Sequence, residues 1–173
     1  IIFYDNHKGD NEILKKCFNS LEKVEVVECI GRPYFIDLFN YSNQHYNNKN
    51  IIICNSDIIF DHSLYKLEHI DFKDKLYALT RWDYIDETTA KPRFQNGQIM
   101  NSSKDTWIFQ TPFCLDRVKN NDKFREIQIG KWNCDGALNY FFKDKIVFEC
   151  LNIKSYHVHF CNGRTEKDGK IIY

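Results

Sequence analysis

The chain has 173 residues, of which 43% are hydrophobic and 16% aromatic, so it is long and apolar enough to fold around a core. Its 24 Lys and Arg residues balance 24 Asp and Glu residues. This zero net charge argues against a surface made for nucleic acid or for an anionic membrane. No apolar run reaches the ~18 residues of a membrane span, and no signal peptide is recognisable.

The cysteines indicate the compartment. There are seven, scattered along the chain, and none forms a CxxC pair. An odd, scattered set is typical of free thiols in a reducing compartment, so we expect a cytoplasmic protein. The first residue is Ile1 and not methionine, which suggests that residues 1–173 are one domain trimmed from a longer chain.

The first sixty residues alternate between predicted strands and helices. Apolar runs predict strands, and helical spacing of apolar residues predicts helices. The strands cover 1–4, 24–30 and 51–54, and the helices cover 11–21 and 34–46. This alternation is typical of a parallel α/β sheet with right-handed crossovers. The third strand, at 51–54, is nearly all isoleucine, so we expect it to be central and buried on both faces.

The rest of the chain is richer in strands and loops. The same criteria predict short helical structure at 64–67, strands at 76–82, 107–111, 146–150 and 155–160, and a helix at 135–142. We therefore expect an α/β fold with a mixed sheet flanked by helices and an antiparallel element in this half.

Polar residues close the third strand: Asn55, Ser56 and Asp57 follow it directly. Ligands of open α/β sheets bind beyond the carboxyl ends of the strands. The Asp57 carboxylate can hold a divalent cation that binds a phosphate, and Asn55 offers an amide oxygen on the same side of an extended chain. The alternative is that Asp57 only caps a turn or helix near Asp61.

A second polar group lies near the end of the chain. His157, His159 and Cys161 alternate, so they point to one side of a predicted strand. Histidine binds metals through a neutral imidazole nitrogen, Gly163 allows close backbone approach, and Arg164 offers a forked donor for phosphate. Two alternatives remain open: histidines satisfied on a sheet face, and a structural zinc site.

Three further positions carry candidate chemistry. Asp135 precedes an apolar helical stretch, which fits either a helix N-cap or a catalytic or substrate-binding carboxylate. Arg81, Trp82 and Asp83 end another predicted strand, so polar groups gather there too. Asp105 and Trp107 alternate into the strand at 107–111. Tryptophan there is more often core than ligand surface, but an exposed one would stack on a sugar.

Five segments in this order resemble glycosyltransferases of the GT-A fold, of the small bacterial and large-DNA-virus type: NIIICNSDIIFD, ALTRWD, DTWIF, GKWNCDGALNYFF and YHVHF. The resemblance covers residues 51–164 and the strand–helix start of the chain. It implies a Rossmann-like fold and transfer of a hexose from a UDP- or GDP-linked sugar to a glycan or other hydroxyl acceptor. It also implies Mn²⁺ or Mg²⁺ as cofactor.

The resemblance also implies roles at the metal. Residues 55–57 take the place of the family's DxD motif, with Asp57 as the usual metal ligand. Asn55 departs from that motif and would contact the ribose or bind the metal through water. His159 would complete the metal site, with His157 as the second choice, and Gly163 and Arg164 would hold the diphosphate.

Other matched positions are assigned to the sugar and the acceptor. Asp135 would be the general base of an inverting enzyme. Asp105 and Trp107 would shape the donor-sugar and acceptor pocket, and Ser56, Arg81 and Trp82 would add substrate contacts at their strand ends.

Two other functions fit parts of the sequence. A nucleotidyltransferase would also use carboxylate-bound metal, although no glycine-rich phosphate loop follows the first strand. A non-catalytic nucleotide- or carbohydrate-binding module would explain Asn55 and the short chain. Nucleic-acid binding is disfavoured by the neutral charge and by the lack of a recognised motif.

Overall fold

The computed structural model describes residues 1–5, 16, 23–84, 90–92, 94–95, 98–99, 104–147, 152–158, 164–165 and 171–172. The chain divides into two compact units. Unit 1 combines Ile1–Lys49 with Gln110–Phe141, and unit 2 combines Asn50–Phe109 with Phe142–Tyr173. The single domain that the sequence predicts over residues 1–173 stays a prediction. None of the described helices has the length and apolar character that a membrane crossing requires.

Within the described residues, unit 1 contains a parallel strand pair and three helices. Strands β1 (Ile2–Asp5) and β2 (Val26–Cys29) pair in parallel. The helices are α1 (Phe35–His45), α2 (Asp122–Arg125) and α3 (Cys134–Phe141). The predicted strands at 1–4 and 24–30 and the predicted helices at 34–46 and 135–142 are confirmed, within one or two residues at each end. The predicted helix at 11–21 falls largely outside the described residues.

Helix α1 forms because its apolar residues recur at helical spacing. Phe35, Ile36, Leu38 and Phe39 are buried on one side, while Asp37 is exposed in the first turn, where its charge suits the helix dipole. Phe39 stacks on Phe113 with ring centroids 5.4 Å apart. This stacked pair is one part of the core of unit 1.

Unit 2 contains the main sheet. The strands after β2 are, in chain order, β3 (Asn50–Cys54), β4 (Ile58–Phe60), β5 (Leu76–Tyr84), β6 (Lys91–Pro92), β7 (Phe94–Gln95), β8 (Gln98–Ile99), β9 (Lys104–Gln110), β10 (Ile146–Val147), β11 (Ser155–Val158), β12 (Arg164–Thr165) and β13 (Ile171–Ile172). The sheet has the order β3–β9–β5–β11–β4, and β6 and β10 also pair with β5. Strands β7 and β8, and likewise β12 and β13, form small antiparallel pairs.

The sheet is mixed, as the sequence predicts. Strands β10 and β11 run parallel to β5, whereas β6 and β9 run antiparallel to it. Strand β4 is antiparallel to β11. Within the described residues, β3 is first in the strand order rather than central. Ile53 is buried, but Ile51, Ile52 and Cys54 are only half-buried, so the prediction of a strand buried on both faces is wrong.

The core of unit 2 packs against one face of this sheet. Phe72, Leu79, Ile108 and Ile153 are buried together. Leu64 and Leu67 pack on this cluster from a 3-10 helix, His62–His69, where the sequence predicts short helical structure. The predicted strands at 146–150 and 155–160 are confirmed over 146–147 and 155–158, and their remaining residues lie outside the described part.

A β-bulge interrupts the pairing of β5 and β9. Leu79 faces Thr106, but its neighbour Thr80 faces Lys104, so Asp105 is an extra residue on β9. An extra residue bends its strand locally and changes the direction of a side chain. This bulge determines the position of a candidate site residue.

Candidate functional site

Polar side chains from two neighbouring strands lie on one face of the unit 2 sheet. In the parallel pairing of β5 and β11, Arg81 faces Ser155 and Asp83 faces His157. Paired residues share a face, and residues two apart on one strand share it too. Arg81, Asp83, Ser155 and His157 therefore point to the same side, at the carboxyl end of β5.

The first cluster on this face is the Arg81 network, which consists of Arg81, Asp83, Asp105 and Asn55. Arg81 is 3% exposed, its Nε donates to Asp83 Oδ1 at 2.9 Å, and its Nη1 lies 3.4 Å from Asp105 Oδ2. The longer contact is an ion pair rather than a well-formed hydrogen bond. Asp105 Oδ1 accepts a 2.9 Å hydrogen bond from Asn55 Nδ2. The network thus ties the end of β3 to β9 and β5.

The backbone reinforces this link. The Asn55 N–H donates to the Asp105 carbonyl at 3.2 Å, so the two residues are joined by one main-chain and one side-chain hydrogen bond. Both bonds use the bulge residue of β9. Asn55 and Arg81 lie at strand ends, as the sequence predicts, whereas Asp105 lies at the start of β9.

The second cluster is the Asp57–His157 pair. Asp57 lies in the turn between β3 and β4, and its side chain is 43% exposed, whereas that of His157 is 6% exposed. Asp57 Oδ2 and His157 Nε2 are 3.1 Å apart. The Val158 N–H donates to the Asp57 carbonyl at 2.9 Å, which holds the turn against β11.

The spacing of this pair suits a shared divalent ion. Neighbouring ligands at a right angle, each about 2.1 Å from an ion, are about 3.0 Å from one another. The described residues contain no group of three or more His, Cys, Asp or Glu that could hold a metal. The pair alone therefore offers two ligands, and His159, the preferred ligand by sequence, lies outside the described residues.

Asp61, and not Asp57, caps the helical segment that follows. Asp61 Oδ1 accepts from the Ser63 N–H at 2.8 Å, and Oδ2 accepts from the Tyr156 hydroxyl at 2.9 Å. Burial opposes ionisation of Asp61, but these hydrogen bonds outweigh it and lower its pKa to about 2. Burial and the bond to Asp61 raise the pKa of Tyr156 to about 12. The capping alternative for Asp57 is wrong.

Trp82 lies on the opposite face of β5 from Arg81. Its ring centroid is 6.2 Å from that of Tyr156, in an edge contact, and Lys154 Nζ lies 4.9 Å from the ring centroid. Successive strand residues point to opposite faces, so Arg81 and Trp82 do not share a face, and the predicted substrate contact of Trp82 stays a prediction.

Trp107 is a core residue. It is 0% exposed, in β9. A ring with no accessible surface cannot stack on a sugar, so the predicted role of Trp107 in the substrate pocket is wrong. Asp105, the bulge residue two positions earlier, instead contacts Arg81 and Asn55.

Asp135 belongs to unit 1. Helix α3 begins at Cys134, so Asp135 lies in the first turn and is not the N-cap that the sequence allows. Its Oδ1 accepts from the Gly136 N–H at 2.9 Å. A Cβ on Gly136 would overlap Asn133 Oδ1, so a larger residue there would require the Asn133 side chain to move. The assignment of Asp135 as general base stays a prediction.

The other predicted residues are placed as follows. Ser56 is exposed in the turn that contains Asp57. Gly163, like His159, lies outside the described residues, and Arg164 is described only as the first residue of β12. Their predicted roles stay predictions. The structural zinc alternative also stays a prediction, because it needs His159 and Cys161, which lie outside the described residues.

Sequence reasoning did not predict two side-chain contacts that the structure reveals. Asp83 is the nearest partner of Arg81. The signal was available, since residues two apart on a strand share a face. Tyr156, the donor to Asp61, was missed because this contact joins residues 95 apart in the chain.

The described part of the chain contains four of the seven cysteines. Cys29, Cys54, Cys114 and Cys134 form no disulfide within the described part. Burial, assisted by the nearby Asp57 charge, raises the pKa of Cys54 to about 11, so this thiol stays protonated near neutral pH.

No family model, curated protein or solved structure matches the chain.

Proposed function

We propose that the protein is a divalent-metal-dependent glycosyltransferase of the GT-A type. It would transfer a hexose from a UDP- or GDP-linked sugar to a glycan or other hydroxyl acceptor. The observation that carries the proposal is the Asp57–His157 pair, with 3.1 Å between Oδ2 and Nε2, one strand away from the buried Arg81 network. The resemblance of the surrounding segments to that family agrees with it.

The donor set fits the implied cofactor. Ions that bind together with a substrate diphosphate need one or two protein ligands, since phosphate oxygens and water supply the others. Asp57 offers a carboxylate oxygen and His157 an imidazole nitrogen, a combination that suits Mn²⁺ better than the oxygen-preferring Mg²⁺. When bound, the ion would neutralise the charge that develops on the diphosphate leaving group.

In this proposal Arg81 has a role different from direct phosphate binding. Its Nε and Nη1 are directed at Asp83 and Asp105 inside the sheet. A guanidinium this buried and engaged stabilises the strand ends rather than reaching a diphosphate. Phosphate binding by a cation falls to Arg164, as the resemblance implies.

The test is turnover of a panel of UDP- and GDP-sugars with Mn²⁺, measured as release of the nucleoside diphosphate with and without glycan acceptors. Asp57→Asn keeps the size of the side chain but removes its charge, and we expect at least a roughly hundredfold loss, about 2.7 kcal/mol. EDTA should abolish turnover of the unchanged protein.

Asp71→Asn is the matched control. Asp71 is an exposed carboxylate of the same unit that accepts the Lys73 N–H at 3.0 Å, before the start of β5. Its substitution should leave turnover unchanged. Turnover by the Asp57→Asn variant at the rate of the unchanged protein would contradict the proposal. Tight nucleotide binding without any turnover would favour the non-catalytic binding module instead.

A further inference from the structure

Asn55 is the position where this chain departs from the DxD pattern, and its side chain is held firmly. Its Nδ2 donates to Asp105 Oδ1 at 2.9 Å, and its main-chain N–H donates to the Asp105 carbonyl. Within the described part of the chain, Asn55 Oδ1 accepts no hydrogen bond. The amide therefore has a fixed donor side and an acceptor that remains for a ligand.

The charge of Asp105 explains why an amide stands at position 55. Asp105 Oδ2 lies 3.4 Å from the buried Arg81 guanidinium, and an opposite charge at this distance favours the ionised carboxylate. An aspartate at position 55 would place a second carboxylate at hydrogen-bond distance from the first. Two carboxylates that close cannot both ionise without a large cost.

We propose that Asp105, held by Arg81, is a positioning residue that orients the Asn55 amide, so that Asn55 Oδ1 accepts a hydrogen bond from a hydroxyl group of a bound nucleotide. Asp105 is also the reason that residue 55 is an amide. The nucleotide part of this inference rests on the proposed function, whereas the coupling between residues 55 and 105 does not.

The β-bulge makes this arrangement possible. Asp105 is the extra residue between the pairs Leu79–Thr106 and Thr80–Lys104. Without the extra residue, strict alternation along β9 would change the side on which residue 105 points. Of the two positions, 105 in the bulge therefore carries the negative charge, and 55 at the end of β3 carries the neutral amide.

A charge-exchange cycle tests the inference on the full 173-residue chain. The variants are Asn55→Asp, Asp105→Asn and the double variant that combines both. The double variant preserves the total charge, reverses the direction of the hydrogen bond, and leaves Arg81 its 2.9 Å contact with Asp83. Asn50→Asp is the control, because it adds a charge to the exposed start of the same strand.

Two readouts are needed. The first is the thermal unfolding midpoint without ligand: Asn55→Asp should lower it, and the double variant should recover most of the loss. The second is the affinity for UDP and GDP with Mn²⁺ by calorimetry. Asn55→Asp should weaken the affinity about tenfold or more, and the double variant should return to within about threefold of the unchanged protein. Asn50→Asp should change neither.

The outcomes separate the two proposals. If the double variant is no better than Asn55→Asp in either readout, the positioning inference is overturned, even if the unchanged protein binds nucleotide. If the unfolding cycle shows the coupling but no nucleotide binds the unchanged protein, the coupling stands, and both the proposed function and the ligand role of Asn55 fail.

Discussion

The two polar clusters on the unit 2 sheet differ in how they meet solvent. The Arg81 network is closed: its cation is 3% exposed, and it links Asp83, Asp105 and Asn55 across three segments. The Asp57–His157 pair is open, since a buried imidazole contacts a carboxylate that is 43% exposed. The Arg81 network joins the end of β3 to β5 and to the start of β9, whereas the pair joins the turn between β3 and β4 to β11.

This difference separates support from ligand binding. A buried cation held by carboxylates is costly to disturb, because the remaining charges lose their partners in a low-dielectric environment. An exposed carboxylate has lone pairs available to a ligand, and the protein loses little stability when the charge of such a carboxylate is removed. We therefore expect substitutions in the closed network to affect stability first, and substitutions in the open pair to affect ligand binding first.

The largest effect is expected for Arg81→Met, which leaves Asp83 and Asp105 without the cation between them. Removing one partner of a buried ion pair costs about 3–5 kcal/mol of the free energy of unfolding. Denaturant unfolding measures the loss. Lys119→Met is the control, since the Lys119–Asp116 pair is exposed and its removal should leave the unfolding midpoint unchanged. Equal losses of unfolding free energy in Arg81→Met and Lys119→Met would show that the buried Arg81 network stabilises the protein no more than an exposed ion pair does.

The next effect concerns the open pair and needs no turnover. At a concentration about a hundredfold above its Kd, Mn²⁺ should stabilise the protein by about 2.7 kcal/mol, and EDTA should reverse this. Asp57→Asn should remove the Mn²⁺ response but keep the metal-free unfolding midpoint, because the amide retains a contact with His157. A Mn²⁺ response that persists in this variant would place the ion elsewhere.

A neutral pair beside the Arg81 network gives a smaller effect. Thr106 Oγ1 and Ser155 Oγ are fully buried and 3.0 Å apart. Thr106→Val leaves the Ser155 hydroxyl unsatisfied and should cost about 1–3 kcal/mol in denaturant unfolding. Adding Ser155→Ala removes both partners, so the double variant should lose less than the sum of the single losses. Additive losses would show that the hydroxyls do not interact.

The sequence predicts the strands and the gathering of polar residues at their ends, because apolar runs and the residues that follow them are local features. The sequence predicts Asn55 and Arg81 at such ends, and both side chains contact Asp105, which the sequence places before a predicted strand. Asp57 and His157 were both expected near a metal and lie 3.1 Å apart.

What the sequence could not predict depends on register between distant segments. The bulge at Asp105 is defined by the pairing of β9 with β5, in which Lys104 faces Thr80, 24 residues earlier in the chain. The burial of Trp107 and the separation of Trp82 from Arg81 depend on which face of the sheet meets the core. Strand β4 was missed because only three residues follow the turn that contains Asp57 before the strand ends.

The smallest effect concerns the opposite face of the sheet, where Tyr156 donates to Asp61 at 2.9 Å. The pKa of Asp61 is lowered from its ordinary value of 3.8 to about 2, so the ionised form favours the folded state. Its contribution to stability is fully present above about pH 4 and is lost as the pH falls toward about 2.

Tyr156→Phe should cost about 1 kcal/mol at neutral pH and raise the pKa of Asp61 toward its ordinary value. Stability should then be lost at a higher pH as the solution is acidified, as measured by unfolding at a series of pH values between neutrality and about pH 2. Tyr84→Phe is the matched control, because Tyr84 meets the Tyr156 ring edge-on with centroids 6.1 Å apart, on the same face. The same acid shift in both variants would mean that the aromatic packing, and not the hydrogen bond to Asp61, causes it.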